Sequence, residues 1–219
     1  MNKIYLRKTS KEDWLLATAI AQRGYDEEVQ KRAEKELKII DNLITLYEQG
    51  TVEEVYGLLS WQRQRLITPI RLTDEQYAEQ WQAQEYRRKQ PADDAVLLET
   101  ARGELVNSKS EVFIADRLKD RRRPYFYEFP VELVDHLTGK PYTAHPDFYV
   151  LNPRTRKSYY WEHFGRCDDP GYVNDNINKL IDYQNAGIIP GINLIMTFET
   201  KTIPFVPAMA DKVIDDYLM

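Results

Sequence analysis

Three carboxylates in the second half of the chain are spaced so that they could gather around a phosphate. Asp147 lies in the run His145-Pro146-Asp147-Phe148, Glu162 in Trp161-Glu162-His163-Phe164-Gly165, and Glu111 closes the run Ser108-Lys109-Ser110-Glu111. Hard divalent cations such as Mg2+ or Mn2+ take oxygen ligands, typically one or two carboxylates completed by water and substrate phosphate. Such a cation lowers the pKa of bound water and neutralises charge that develops on phosphate, so the cluster suits phosphodiester hydrolysis. Each residue also has a structural reading. Glu111 stands three after Ser108, the spacing of a capping box, and Asp147 after Pro146 could open a strand. Glu162 is hardest to explain structurally, because a carboxylate between Trp161 and Phe164 is costly to bury unless it is paired or bound to metal.

The surrounding elements must bring these residues together. Glu111 falls one turn into an expected helix, Ser108 to Asp120. Tyr125 to Val134, Tyr142 to Leu151 and Ser158 to Phe164 are rich in aromatic and β-branched residues and read as three meandering strands. Turns at Leu137–Pro141 and Asn152–Arg156 join them. If the second and third strands form an antiparallel pair, Asp147 and Glu162 become neighbours at one sheet end, with Cβ atoms about 5 Å apart. A helix from Tyr172 to Ala186, a strand from Ile192 to Phe198 and a helix from Met209 to Leu218 follow. The expected fold is α/β, a mixed sheet flanked by helices.

The first part reads differently. Apolar residues recur at helical spacing from Glu12 to Arg23 and from Asp26 to Gln49, with Val29, Ala33, Leu37, Ile40, Ile44 and Tyr47 in one stripe. Gly24 either divides this into two helices or sits inside one. Thr51 opens a short helix. Thr73 with Gln76 signals another, carrying Tyr77, Trp81 and Tyr86. No strand-like alternation is visible before about residue 104, and Lys89 to Asp94 reads as a linker. The expected division is a helical region, 1–103, and an α/β domain, 104–219.

Composition narrows the classes. The chain has 219 residues, 42% hydrophobic and 30% charged, enough for a core and too apolar for disorder. The net charge of -5 means that polyanion binding must come from local basic patches. Arg117, Lys119, Arg121, Arg122 and Arg123 form one patch at the end of the Glu111 helix. Arg154, Arg156 and Lys157 form another in the turn between the acidic strands. The single cysteine, Cys167, excludes an intramolecular disulfide and multi-cysteine zinc sites. Met1 to Ser10 holds no apolar run of signal-peptide length, and no stretch approaches the roughly 18 apolar residues of a membrane span. A soluble cytoplasmic protein without a membrane partner is expected.

With these elements in order, the chain resembles the PD-(D/E)xK nuclease superfamily. The likeness rests on the Ser-Lys-Ser-Glu, Pro-Asp-Phe and Trp-Glu-His-Phe-Gly runs, each in its expected structural setting. It is nearest a bacterial and phage branch with helical N-terminal regions. The resemblance implies a restriction-endonuclease-like fold with an all-α N-terminal extension, and an Mg2+- or Mn2+-dependent nuclease. Asp147 and Glu162 would hold metal, with Glu111 completing or orienting the site. DNA is the superfamily's common substrate, RNA stays open, and many such nucleases act as homodimers. The family's lysine two residues after the glutamate is Phe164 here. Two substitutes exist. Lys179 sits on the following helix at the edge of the apolar stripe Val173, Ile177, Leu180 and Ile181. His163 is adjacent but points to the opposite strand face unless Gly165 lets it turn inward. Arg117, Arg121, Arg122, Arg123 and Arg154 would contact phosphates. The rival readings are an inactive nuclease-fold module that binds nucleic acid or a protein, and a helical half that binds a partner.

Overall fold

A computed structural model describes residues 10–52, 54–91 and 96–219. It divides into two compact units, Met1–Arg71 and Leu72–Met219. Residues 72–103, grouped by sequence with the helical region, fall in the second unit. The opening ten residues and the expected linker lie partly outside the described residues.

In the first unit a 38-residue helix, α1 (Lys11–Glu48), runs unbroken through Gly24, so that glycine sits inside one helix. Ser10 caps its start, accepting from the Asp13 amide. Two single-turn helices follow, α2 (Glu54–Gly57) and α3 (Trp61–Gln64). No residue in these three helices is buried.

The second unit is mixed α/β. It begins with α4 (Asp74–Gln82), whose Thr73–Gln76 capping box forms as its spacing predicts. The helix ends before Tyr86, which therefore lies outside it. A short hairpin of β1 (Leu98–Glu99) and β2 (Leu105–Val106) comes next. Two-residue strands are too brief for alternation to show, so this hairpin escaped the sequence reading. Then come α5 (Lys109–Asp120), β3 (Tyr125–Tyr127), β4 (Val131–Val134), β5 (Pro141–Ala144), β6 (Phe148–Asn152), β7 (Lys157–Phe164), α6 (Pro170–Asn185), β8 (Leu194–Phe198) and α7 (Pro207–Leu218).

Two of the expected long strands are each split. β3 and β4 are separated at Glu128, whose backbone is left-handed (φ 53°), and at Pro130. β5 and β6 are separated at His145-Pro146-Asp147. Proline cannot donate to a ladder, so the outer halves peel away as a separate β4–β5 hairpin. The inner halves join a four-stranded sheet in the order β3-β6-β7-β8. The first three strands are antiparallel, and β8 returns parallel to β7 through the crossover helix α6.

Alternation along the strands creates two apolar faces. One carries Tyr125, Tyr127, Phe148, Val150, Trp161 and Ile195, covered by Ile114, Ala115 and Leu118 of α5 and Ala210, Ile214 and Leu218 of α7. On the other face Tyr183 of α6 packs with Leu194 and with Leu133 and Ala144 of the hairpin. Trp81 of α4 covers Phe126 and Leu151. The sheet therefore has helices on both sides, and its β7 strand meets a different helix with each alternate residue. Among the described residues, no helix is long and apolar enough to cross a membrane.

Candidate active site

Strand register brings the first two carboxylates together. β6 and β7 pair Phe148 with Trp161, so one step beyond the ladder Asp147 faces Glu162 at the same sheet end. Asp147 is held there by its own backbone and side chain. Its carbonyl accepts from the Glu128 amide at 3.0 Å, and its Oδ2 accepts from the His163 amide at 2.7 Å. The side chain thus replaces the next rung of the β6–β7 ladder.

Glu162 points toward α6. Its Oε1 receives the Lys179 ammonium at 2.6 Å and the Tyr183 hydroxyl at 2.5 Å. Lys179 and Tyr183 are one helical turn apart, the spacing at which two side chains share a face. The glutamate side chain is 5% exposed and the lysine 28%, which sets the pair at the edge of the protein interior with its cationic end outward. Burial, then the charge of Glu162 and the hydrogen bond to it, push the Tyr183 pKa well up.

Glu111 approaches from the other face, on the first turn of α5. Its Oε1 accepts from Ser108 Oγ at 2.8 Å, and its Oε2 accepts from Tyr127 Oη at 2.6 Å and from the Asn107 amide at 2.9 Å. The full capping box does not close, because the Glu111 carboxylate takes the Asn107 amide and the Ser108 hydroxyl rather than the Ser108 amide. Ser108 still caps the helix, accepting from the Glu111 amide, and the Glu111 charge lies within electrostatic reach of Asp147.

That reach has a chemical consequence. Burial, then the neighbouring charges of Glu162 and Glu111, raise the Asp147 pKa well above the ordinary carboxylate range, against the opposing pull of the His163 amide and Lys179. Three carboxylates share one lysine, so negative charge outweighs positive at this end of the sheet. Among the described residues, Asp147 Oδ1 and Glu162 Oε2 accept no hydrogen bond, which leaves one free carboxylate oxygen on each strand. The described residues contain no group of three or more His, Cys, Asp or Glu side chains placed to hold a metal ion by themselves. The arrangement fits a hard cation only in the form in which two protein oxygens are supplemented by water and phosphate.

The two substitutes for the absent motif lysine go to opposite faces of β7. Lys179 reaches Glu162. His163 stays in regular strand geometry, paired with Thr197, and points away. Its Nδ1 lies 3.0 Å from Thr197 Oγ1 and its ring packs on Phe205. Burial lowers its pKa despite Glu199 nearby. Gly165 does not turn the histidine inward. It gives room to Glu199, since a Cβ at this position would lie 3.3 Å from that carboxylate. Phe164 shares the Glu162 face but stacks on Phe198, ring centroids 5.3 Å apart. The position that could have held a lysine is thus part of an apolar cleft with Tyr172, Val173 and Ile177.

Comparison with family models, with curated proteins and with solved structures returns no match to the chain.

Several supporting residues were invisible in the sequence. Tyr127 and Glu199 had no signal: one reads as a strand aromatic, and the other follows the last strand. Glu199 accepts from Ser110 Oγ at 3.1 Å and from the Phe205 amide at 2.8 Å, tying the start of α5 to the loop before α7. Tyr183 could have been found, because it repeats the Lys179 position one turn later. The expected phosphate-contacting residues do not join this cluster. Arg117 and Arg121 are engaged with Asp120, Asp211 and Asp215. Arg122 and Arg123 lie past the far end of α5, and Arg154 lies in the turn at the far end of β6.

Proposed function

We propose that this protein is a metal-dependent nuclease with a restriction-endonuclease-like fold, hydrolysing phosphodiester bonds of nucleic acid, with DNA as the first substrate to test. The observation that carries the reading is the meeting of Lys179 with Glu162 beside Asp147. Residues from β7, from α6 and from the break before β6 converge, and the lysine arrives from a helix when Phe164 fills the strand position.

Asp147 and Glu162, each with a free oxygen, would hold Mg2+ or Mn2+, with Glu111 setting the local charge. The bound cation would supply water activation and charge neutralisation at the phosphate. The chain's own residues do the rest. Lys179 has three donors and spends one on Glu162, so the others can orient water or a phosphate oxygen. Tyr183 fixes the Glu162 carboxylate from behind, and Tyr127, Ser108 and the Asn107 amide fix Glu111. Held groups of this kind save reorganisation during the reaction.

A second reading has its own support. Glu162 is already satisfied on one oxygen by Lys179 and Tyr183, and no three-ligand metal group exists among the described residues. Both observations suit a nuclease fold kept for binding. One experiment separates the two. Single-stranded, double-stranded and branched DNA and RNA are incubated with wild type in magnesium, manganese or EDTA, beside Asp147→Asn, Glu162→Gln, Lys179→Ala and His163→Ala. Cutting that needs metal and both carboxylates, and that tolerates His163→Ala, supports the nuclease. Folded wild type that cuts nothing moves the conclusion to the binding module, and cutting that survives both carboxylate changes removes the site assignment.

A further inference from the structure

At the opposite end of α5 from Glu111 the second unit gathers positive charge. Arg102 from the β1–β2 turn, Lys119 from the end of α5, and Arg122 and Arg123 just beyond it line one shallow cleft with Gln82 and Pro124. In a chain of net charge -5 this is an uneven distribution, and such local fields are what draw anions. Among the described residues none of the four cations makes an ion pair, whereas Arg117 and Arg121 on the same helix are paired with α7 acids. Glu104, in the same β1–β2 turn as Arg102, is engaged by the Tyr125 hydroxyl at 2.5 Å.

The backbone and side chains are arranged to keep these cations together. Arg122 adopts a left-handed conformation (φ 52°), uncommon for a residue with a side chain. Its amide closes the helix end on the Lys119 carbonyl at 2.9 Å. Arg102 lies over the Tyr125 ring, 4.6 Å from its centroid, which fixes the guanidinium without neutralising it. Arg123 Nε is buried with no hydrogen-bond partner. Burial, then the proximity of Arg121 and Arg154, lowers the Arg123 pKa. Crowded, unpaired guanidiniums around an open cleft are complementary to phosphate oxygens, which accept from several donors at once.

We propose that this cleft is a phosphate-binding site for the backbone of a nucleic-acid duplex, separate from the carboxylate end. Its bearing on cleavage rests on the nuclease reading, but binding there does not. The 12-residue helix α5 separates the two ends by about 18 Å at roughly 1.5 Å per residue. One strand of B-DNA rises about 3.4 Å per nucleotide, so a duplex engaging both ends would span about five base pairs between them.

The test is fluorescence anisotropy of a labelled duplex of about 20 base pairs with the full chain in EDTA, as a function of salt. Arg102→Gln/Arg122→Gln is compared with a charge-matched control, Arg23→Gln/Lys212→Gln, which removes two exposed helix cations elsewhere. Wild type and control should share one salt slope. The cleft variant should bind at least about tenfold more weakly at low salt, with a slope lower by about two, one per lost phosphate contact. Identical slopes for cleft variant and control would overturn the site, as would wild type that binds no duplex at low salt. Cleavage by wild type in magnesium is run on the same duplex. Binding that depends on the cleft without cleavage leaves the site standing and removes the nuclease, and cleavage with unchanged slopes does the reverse.

Discussion

Helix α6 carries two clusters of buried acid chemistry, about one turn apart, and they are built in opposite ways. At Lys179 the helix reaches Glu162, beside Asp147, where burial and two further carboxylates raise a pKa and two carboxylate oxygens are left without donors. At Asp182 it meets the β4–β5 hairpin. There Oδ1 accepts from the His136 amide at 2.9 Å and lies 2.7 Å from the His136 ring, and Oδ2 accepts from Tyr142 at 2.8 Å. Burial alone would raise the Asp182 pKa, but the His136 and Tyr142 hydrogen bonds outweigh it and hold it low. The contrast separates two uses of a buried charge. A carboxylate whose lone pairs are filled fastens elements together. One that is crowded by like charge and left open stores an unfavourable interaction that a cation or substrate can relieve.

The sharpest way to break this comparison is Asp147→Asn. Removing the open carboxylate should lower metal-dependent cleavage by about 10³-fold or more, the scale of several kcal/mol of charge stabilisation. The melting temperature should hold or rise, because a carboxylate whose pKa is raised on folding is a cost when ionised. Single-turnover cleavage beside a thermal melt checks both, and a variant that melts lower and loses activity in proportion would place Asp147 with Asp182.

Next in size, Lys179→Ala should cost about 10²-fold in rate if the ammonium orients the reacting groups, again in single-turnover cleavage. Lys179→Arg should recover only part, since a planar fork does not replace a compact ammonium at 2.6 Å. Full activity in the alanine variant would leave the lysine a mere partner for Glu162. Tyr183→Phe is gentler. It removes one donor from Glu162 and keeps the ring in the core, so about a tenfold loss is expected, with binding of uncleaved duplex unchanged.

The sequence made one of the two clusters readable and hid the other. Lys179 could be placed because it borders the apolar stripe Val173, Ile177, Leu180 and Ile181, although Ile177 is 50% exposed and α6 buries Asp182 and Tyr183 instead. The Asn152–Arg156 turn fixes the pairing of Asp147 with Glu162. The Asp182 cluster depends on His136 and Tyr142, which belong to the β4–β5 hairpin. Continuous strands over 125–134 and 142–151 hide that hairpin, because apolar alternation runs through Glu128 and Pro130 without showing the bend. Arg102 was out of reach for the same physical reason: it sits between strands of two residues each, too short for any periodicity. Glu199 is a contact made across most of the second unit, 89 residues from Ser110, and only packing reveals it. The charge runs were visible, but which arginines are neutralised depends on α7, whose Asp211 and Asp215 carry no mark of their partners.

The smallest effect is the one that tests the satisfied cluster. Asp182→Ala leaves the Tyr142 hydroxyl and the His136 amide without their acceptor, and the site lies near the surface with His136 20% exposed, so water replaces part of the loss. A destabilisation of about 1 kcal/mol at neutral pH is expected, with cleavage retained. The pH dependence has a definite sign. Because the Asp182 pKa is lower in the folded chain than the unfolded value of about 3.9, its stabilisation is fully present above that value. It fades as pH falls through the folded pKa. Urea unfolding of wild type and variant should therefore differ at neutral pH and converge progressively below about pH 4. A difference that persists unchanged into acid would mean that Asp182 acts through packing rather than charge, and the distinction between filled and open carboxylates on α6 would then fail on its structural side.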